Sequence, residues 1–123
     1  MALSAQQVLE LWRGVMVAGL HRDHPDLTAR QFALLLHVYL TPPPHTVRGL
    51  SAALNLSKPV ITRALDRLGR LDYLRRKRDE TDKRNVLIQR TIKGSVYLRE
   101  FGDLAANIAA PPRPPSHVDR PRP

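Results

Sequence analysis

Ser57-Lys58-Pro59, Thr62-Arg63 and Arg67 are followed closely by Arg75-Arg76-Lys77-Arg78 and Lys83-Arg84. Hydroxyl, ammonium and guanidinium groups at this density suit contact with phosphates and base edges rather than bond making. Ser57 is placed to cap a helix, and Lys58 and Pro59 then fall in its first turn, where free N–H groups and the helix dipole favour an anion. Thr62 and Arg63 come one turn later, on the side opposed to Val60 and Leu68. An arginine there suits the O6 and N7 atoms of guanine, worth roughly 1–3 kcal/mol of discrimination. Arg67 follows Arg63 at i+4 and is a candidate phosphate contact. Arg76, Arg78, Lys83 and Arg84 would sit on the arms of a hairpin, suited to phosphate contact and minor-groove insertion. Asp82 is expected to orient Arg84 or Arg76, and Asp66 to pair with Arg63 or Arg70. The plainer alternative is a solvated helix face and a charged turn without a partner.

The elements that would position these groups are legible in the apolar spacing. Residues 4 to 20 read as a helix capped by Ser4, with Val8, Leu11, Trp12, Val15 and Met16 on one stripe. His21 to Asp26 is a polar connector. Thr28 and Gln31 form a capping box opening a second helix, which runs to about Leu40 and buries Phe32, Leu35, Leu36, Tyr39 and Leu40. The run Thr41-Pro42-Pro43-Pro44-His45 breaks it. Thr46 caps a short helix from Val47 to Leu54, and Asn55-Leu56 is a tight connector. The helix capped by Ser57 ends near Arg70 and buries Val60, Ile61, Leu65 and Leu68. Leu71 to Arg78 is expected to be extended, Asp79 to Asp82 a hairpin tip, and Asn85 to Gln89 a returning strand. Thr91 caps a last helix carrying Val96, Tyr97, Phe101, Leu104 and Ile108. The expected fold is mainly α with one small β-hairpin, in the order α-α-α-α-β-β-α. That is the layout of a winged helix-turn-helix.

Composition narrows the classes. The chain has 123 residues, a net charge of +9 and no cysteine. One domain of this length can bury a core without disulfides. Disulfide frameworks, thiolate metal sites and cysteine nucleophiles are excluded. From Lys58 through Arg90 there are eleven Lys/Arg against five Asp/Glu, so a surplus of six charges lies in about a quarter of the chain. No apolar run reaches the ~18 residues needed to span a bilayer, and no signal peptide is expected. A cytoplasmic, nucleoid-associated location without membrane contact follows as an expectation. Six of the last thirteen residues are proline, so 111–123 is expected to be a disordered or polyproline tail after a domain over 1–110.

Other signals are weaker. His21-x-x-His24 with Asp23 resembles a metal fragment, but no further ligands are placed, and surface histidines are the expected account. His37 is expected at a core or interface position. Trp12, Met16 and Tyr97 on helical stripes suit core or dimer contact better than a ligand pocket. No nucleophile elbow, P-loop or dinucleotide loop occurs, so neither enzyme activity nor a cofactor is expected.

Thr46-Val47-Arg48-Gly49-Leu50, the run Thr62 to Leu68, Arg76, and Asp82-Lys83-Arg84-Asn85-Val86-Leu87-Ile88 ahead of Thr91-x-x-Gly94 together resemble the MarR family of bacterial winged-helix regulators. Leu27-Thr28-x-x-Gln31-Phe32-x-Leu34-Leu35 is similar to that family's preceding helix, and the resemblance covers roughly residues 5 to 110. It implies a homodimer on pseudo-palindromic double-stranded DNA, most often repressing, with its dimer interface built from N- and C-terminal helices. The arginine matching Arg84 would approach the minor groove, with the acid matching Asp82 fixing the wing. Many members are released by small aromatic ligands. Three departures stand out: Asp72 replaces a usual glycine, Arg90 replaces a usual leucine, and proline-rich sequence follows Ala110 where the family continues its helix. The resulting expectation is a sequence-specific dimeric transcription regulator, a repressor. The alternatives are a winged-helix adaptor for a protein partner and an architectural DNA-binding protein of low specificity.

Overall fold

A serine or threonine hydroxyl caps each helix among residues 2–110, the portion described by the computed structural model. Helix α1 spans Ala5–Leu20 and α2 spans Ala29–Leu40. Both open with reciprocal capping boxes, Ser4 with Gln7 and Thr28 with Gln31, each cap contributing about 1 kcal/mol. Helix α3 spans Val47–Leu54, α4 Lys58–Arg70 and α5 Ile92–Ala109; strands β1, Leu74–Arg78, and β2, Val86–Arg90, form an antiparallel hairpin. The order is the expected one. The tail expected over 111–123 lies outside the described residues.

The described residues divide into two units, 23–101 and the terminal segments 2–22 and 102–110. The larger unit holds the buried core: Leu34, Leu35, Val38, Leu50, Ile61, Ala64, Leu65, Leu68, Tyr73, Leu74, Ile88 and Tyr97. Phe32 packs on Phe101 with ring centroids 4.7 Å apart, and Tyr73 stacks on Tyr97 at 4.5 Å. In the smaller unit Gly14 lies so close to Ile108 that an added Cβ would stand 2.8 Å from its Cγ2. This is a close approach of two helices that a larger residue would open.

Several expectations are corrected. The core side of α2 is Leu34, Leu35 and Val38, while Leu40 is 76% exposed. Ala64 joins the buried face of α4. Strand β1 begins at Leu74, not Leu71, because Leu71 to Tyr73 form a corner with Asp72 at φ 59. An aspartate tolerates this left-handed conformation, so the corner survives without glycine. On α1, Val8, Trp12 and Met16 are exposed. His45 is buried beside His37, with ring centroids 5.8 Å apart, and its Nε2 lies 3.2 Å from the Thr41 carbonyl. His24 lies 3.3 Å from Glu100.

Candidate nucleic-acid interface

Helices α3 and α4 are joined by Asn55, whose left-handed conformation (φ 53) ends α3 within one residue. The Leu56 N–H returns to the Ser51 carbonyl at 3.2 Å. Ser57 then caps α4 through the Val60 N–H, and Pro59 occupies the first turn, where it forfeits no helical bond. Ile61, Ala64, Leu65 and Leu68 bury one side of α4. The opposite side therefore carries Lys58, Pro59, Thr62, Arg63 and Asp66, all exposed. Lys58 and Arg63 form no ion pair among the described residues. Arg67 is half-buried and donates to the Asp26 carbonyl at 3.2 Å, so its guanidinium fastens α4 to the entry of α2.

The wing is built on the register Arg76↔Ile88 and Arg78↔Val86. Alternation puts Leu74, Arg76 and Arg78 on one face with Val86, Ile88 and Arg90; Arg75 and Lys77 share the other face with Leu87 and Gln89. A third short stretch joins through the Thr46↔Leu87 bridge, and the Ile88 N–H donates to the His45 carbonyl at 2.8 Å. Arg76 is the link from wing to α4. Its Nη2 donates to Asp66 Oδ1 at 2.8 Å and to the Thr62 carbonyl at 3.0 Å. Asp66 thus pairs with Arg76 rather than with Arg63 or Arg70.

At the tip Asp82 holds Arg84. One carboxylate oxygen accepts the Arg84 backbone N–H at 3.1 Å and its Nε–H at 3.0 Å; the other accepts Nη2 at 3.1 Å. The guanidinium beside it lowers the Asp82 carboxyl below its usual value, and the carboxylate raises Arg84 in turn. Of the two expected partners Asp82 takes Arg84, and the Arg84 side chain stands 87% exposed. Asp79 accepts the Thr81 N–H at 2.9 Å, and Asn85 N–H returns to the Asp82 carbonyl at 3.0 Å, so the tip is braced from within. Arg78 and Lys83 are exposed.

Two side chains at the root of the wing were not singled out by sequence reasoning for this site. The sequence assigns Tyr39 only to packing and marks Arg90 only as an unusual charge. The proline triplet at 42–44 was the available signal, since it removes the N–H donors that would close the end of α2.

This arrangement can be compared with known proteins. No curated protein sequence matches the chain. Among solved structures, a transcriptional regulator from Thermotoga maritima aligns at TM-score 0.64 and 24% identity, over 83% of this chain and 66% of that one. A mutant MarR from E. coli complexed with operator DNA aligns at TM-score 0.64 and 24% identity, over 85% and 69%. The transcriptional repressor CouR bound to a 23-mer DNA duplex aligns at TM-score 0.65 and 24% identity, over 85% and 70%. The chain thus spans about two thirds of the length of these proteins, and the likeness is one of fold. Residues 26–85, from the entry of α2 to the tip of the wing, match the family model described as MarR family. By that match and by its winged-helix architecture, the segment 26–85 is of the MarR-family type.

Proposed function

We propose that the chain is a transcription regulator that binds a specific double-stranded DNA site as a symmetric homodimer and acts as a repressor. The observation that carries this reading is the exposed side of α4, with Lys58, Thr62 and Arg63, next to a wing whose tip presents Arg84. In this reading α4 enters the major groove. Ser57, Lys58 and Pro59 lie at the backbone, and Thr62 and Arg63 at base edges. Arg78 and Lys83 meet phosphates, Arg84 enters the minor groove in the geometry set by Asp82, and Arg76 and Arg67 hold α4 in place. The DNA complexes known for E. coli MarR and for CouR support the same docking here. Residues 1–110 then make up the DNA-binding domain, with its terminal helices pairing two copies. Two-fold symmetry would set half-sites about 34–36 Å apart.

The test is a selection of genomic fragments with purified protein, read by sequencing, alongside Arg63→Ala and Arg84→Ala. A short inverted repeat, lost with Arg63→Ala, is the expected outcome. Unselected fragments, with both variants merely weaker, would replace the reading by a low-specificity architectural binder. Recovery of no DNA would leave the winged helix as an adaptor for a protein partner.

A further inference from the structure

Helix α2 ends in an unusual way. The carbonyls of Val38, Tyr39 and Leu40 would ordinarily accept from residues 42, 43 and 44, and all three of those are proline. Proline has no N–H, so the end of the helix loses its donors. Arg90, the last residue of β2, supplies replacements. Its Nε donates to the Val38 carbonyl at 3.0 Å and its Nη2 to the Thr41 carbonyl at 2.8 Å. Its guanidinium lies 5.7 Å from the centre of the Tyr39 ring, and its positive charge meets the negative end of the α2 dipole.

Tyr39 makes the second half of the same junction. Its hydroxyl accepts the Thr91 N–H at 3.0 Å and lies 2.9 Å from the Tyr73 carbonyl and 3.0 Å from that of Thr91, one of which takes its proton. Thr91 in turn donates to the Asp72 carbonyl at 2.7 Å and caps α5 through the Gly94 N–H at 2.9 Å. Gly94 is the residue that fits: an added Cβ would collide with both the Tyr39 hydroxyl and the Tyr73 carbonyl. Four chain segments therefore meet at two side chains: the end of α2, the entry to β1, the exit of β2 and the start of α5. A two-stranded hairpin has little stability of its own, so its direction is set where it is rooted.

We infer that Tyr39 and Arg90 are positioning residues of the wing, and that Arg90, although cationic and next to the DNA-binding elements, is not a DNA contact. This rests on the DNA-binding reading above, which it deepens by separating the arginines that touch DNA from one that aims them. A phosphate-contacting arginine tolerates lysine. A forked bridge to two carbonyls does not, because an ammonium cannot span both.

The test uses the full chain with Tyr39→Phe, Arg90→Lys and Arg90→Leu, each with and without Arg84→Ala. In the native background Arg84→Ala should weaken binding to the selected site roughly tenfold. In each of the three variant backgrounds that penalty should shrink to less than about threefold, since a wing that is no longer aimed cannot place Arg84. Arg90→Lys should lose as much as Arg90→Leu. Amide exchange of the free protein at residues 76–78 and 87–89 should quicken in all three, while residues 61–68 of α4 keep their protection. An undiminished Arg84→Ala penalty, or rescue by Arg90→Lys, would overturn the proposal. If the native protein binds no DNA, the functional reading fails. The exchange data still decide the root: unchanged exchange in the hairpin refutes it, and selective quickening there sustains it.

Discussion

Helices α4 and α1 carry apolar stripes of similar length, yet one is finished and the other is not. Helix α4 buries Ile61, Ala64, Leu65 and Leu68, the first and last fully. Helix α1 buries no residue, and Leu9, Trp12 and Leu20 are 68%, 65% and 75% exposed. Residues 23–101 therefore hold a complete core, whereas the α1 unit presents an apolar face still to be covered. Such a face is suited to a second copy of this chain, the pairing proposed above. Stability and assembly should thus separate by region.

Leu68→Ala should give the largest effect, about 2–5 kcal/mol of lost stability, because a fully buried leucine leaves a cavity. Denaturant titration should show this at every protein concentration. Trp12→Ala should cost less than about 1 kcal/mol in the dissociated chain. A loss there as large as that of Leu68→Ala, and independent of concentration, would end the contrast between the two regions.

Leu9→Ser combined with Trp12→Ser should act next most strongly, on association rather than folding. Sedimentation should report at least a roughly tenfold weaker dimer, since buried aromatic residues dominate such interfaces. The melting temperature of the native protein should rise with concentration, and that of the double variant should begin to rise only at roughly tenfold higher concentration. A dimer unaffected by both changes would place the two-fold elsewhere.

What was legible in the sequence follows from how local each signal is. Ser4, Thr28, Thr46, Ser57 and Thr91 were readable as caps because a cap is decided within four residues. The turn at Asn55 and the corner at Asp72 likewise lie where those residue types tolerate positive φ. The buried side of α2 was not readable. Phe32, Ala33, Leu34, Leu35, Leu36, Val38, Tyr39 and Leu40 make it apolar almost all round, so periodicity could not choose Val38 over Leu40. The site shows the same division. The candidates on α4 and the wing could be named from type and spacing. The partners of Asp66 and Arg90 could not, because they meet across helix and strand at separations of 10 and 49–52 residues.

Within the wing, Lys83→Ala should produce a smaller effect that distinguishes it from α4. It should weaken binding to all sequences alike and lower the slope of log affinity against log salt by about one. Arg63→Ala should instead flatten the preference between cognate and mismatched sites. Titrations of both variants at several salt concentrations would decide this, and equal losses on cognate and random DNA for both would erase the assigned division of labour.

The smallest expected effect concerns acid. The carboxyl of Asp82 lies below its usual value because it accepts from Arg84, first through the side chain and then through the backbone. A carboxyl lowered in the folded state contributes order that is fully present above its unfolded value and lost as pH falls through the folded one. The tip should therefore stay intact at neutral pH and loosen only below the ordinary carboxylate range, while the core of residues 23–101 holds. Carboxyl and guanidinium NMR signals followed from about pH 5 down to pH 2 should report the two groups separating together. Asp82→Asn should abolish that step and release Arg84 at every pH. If the Arg84 signals of Asp82→Asn match those of the native protein at neutral pH, then Asp82 does not aim the arginine. The alignment of the wing would then rest on its root and on the Arg76 bridge.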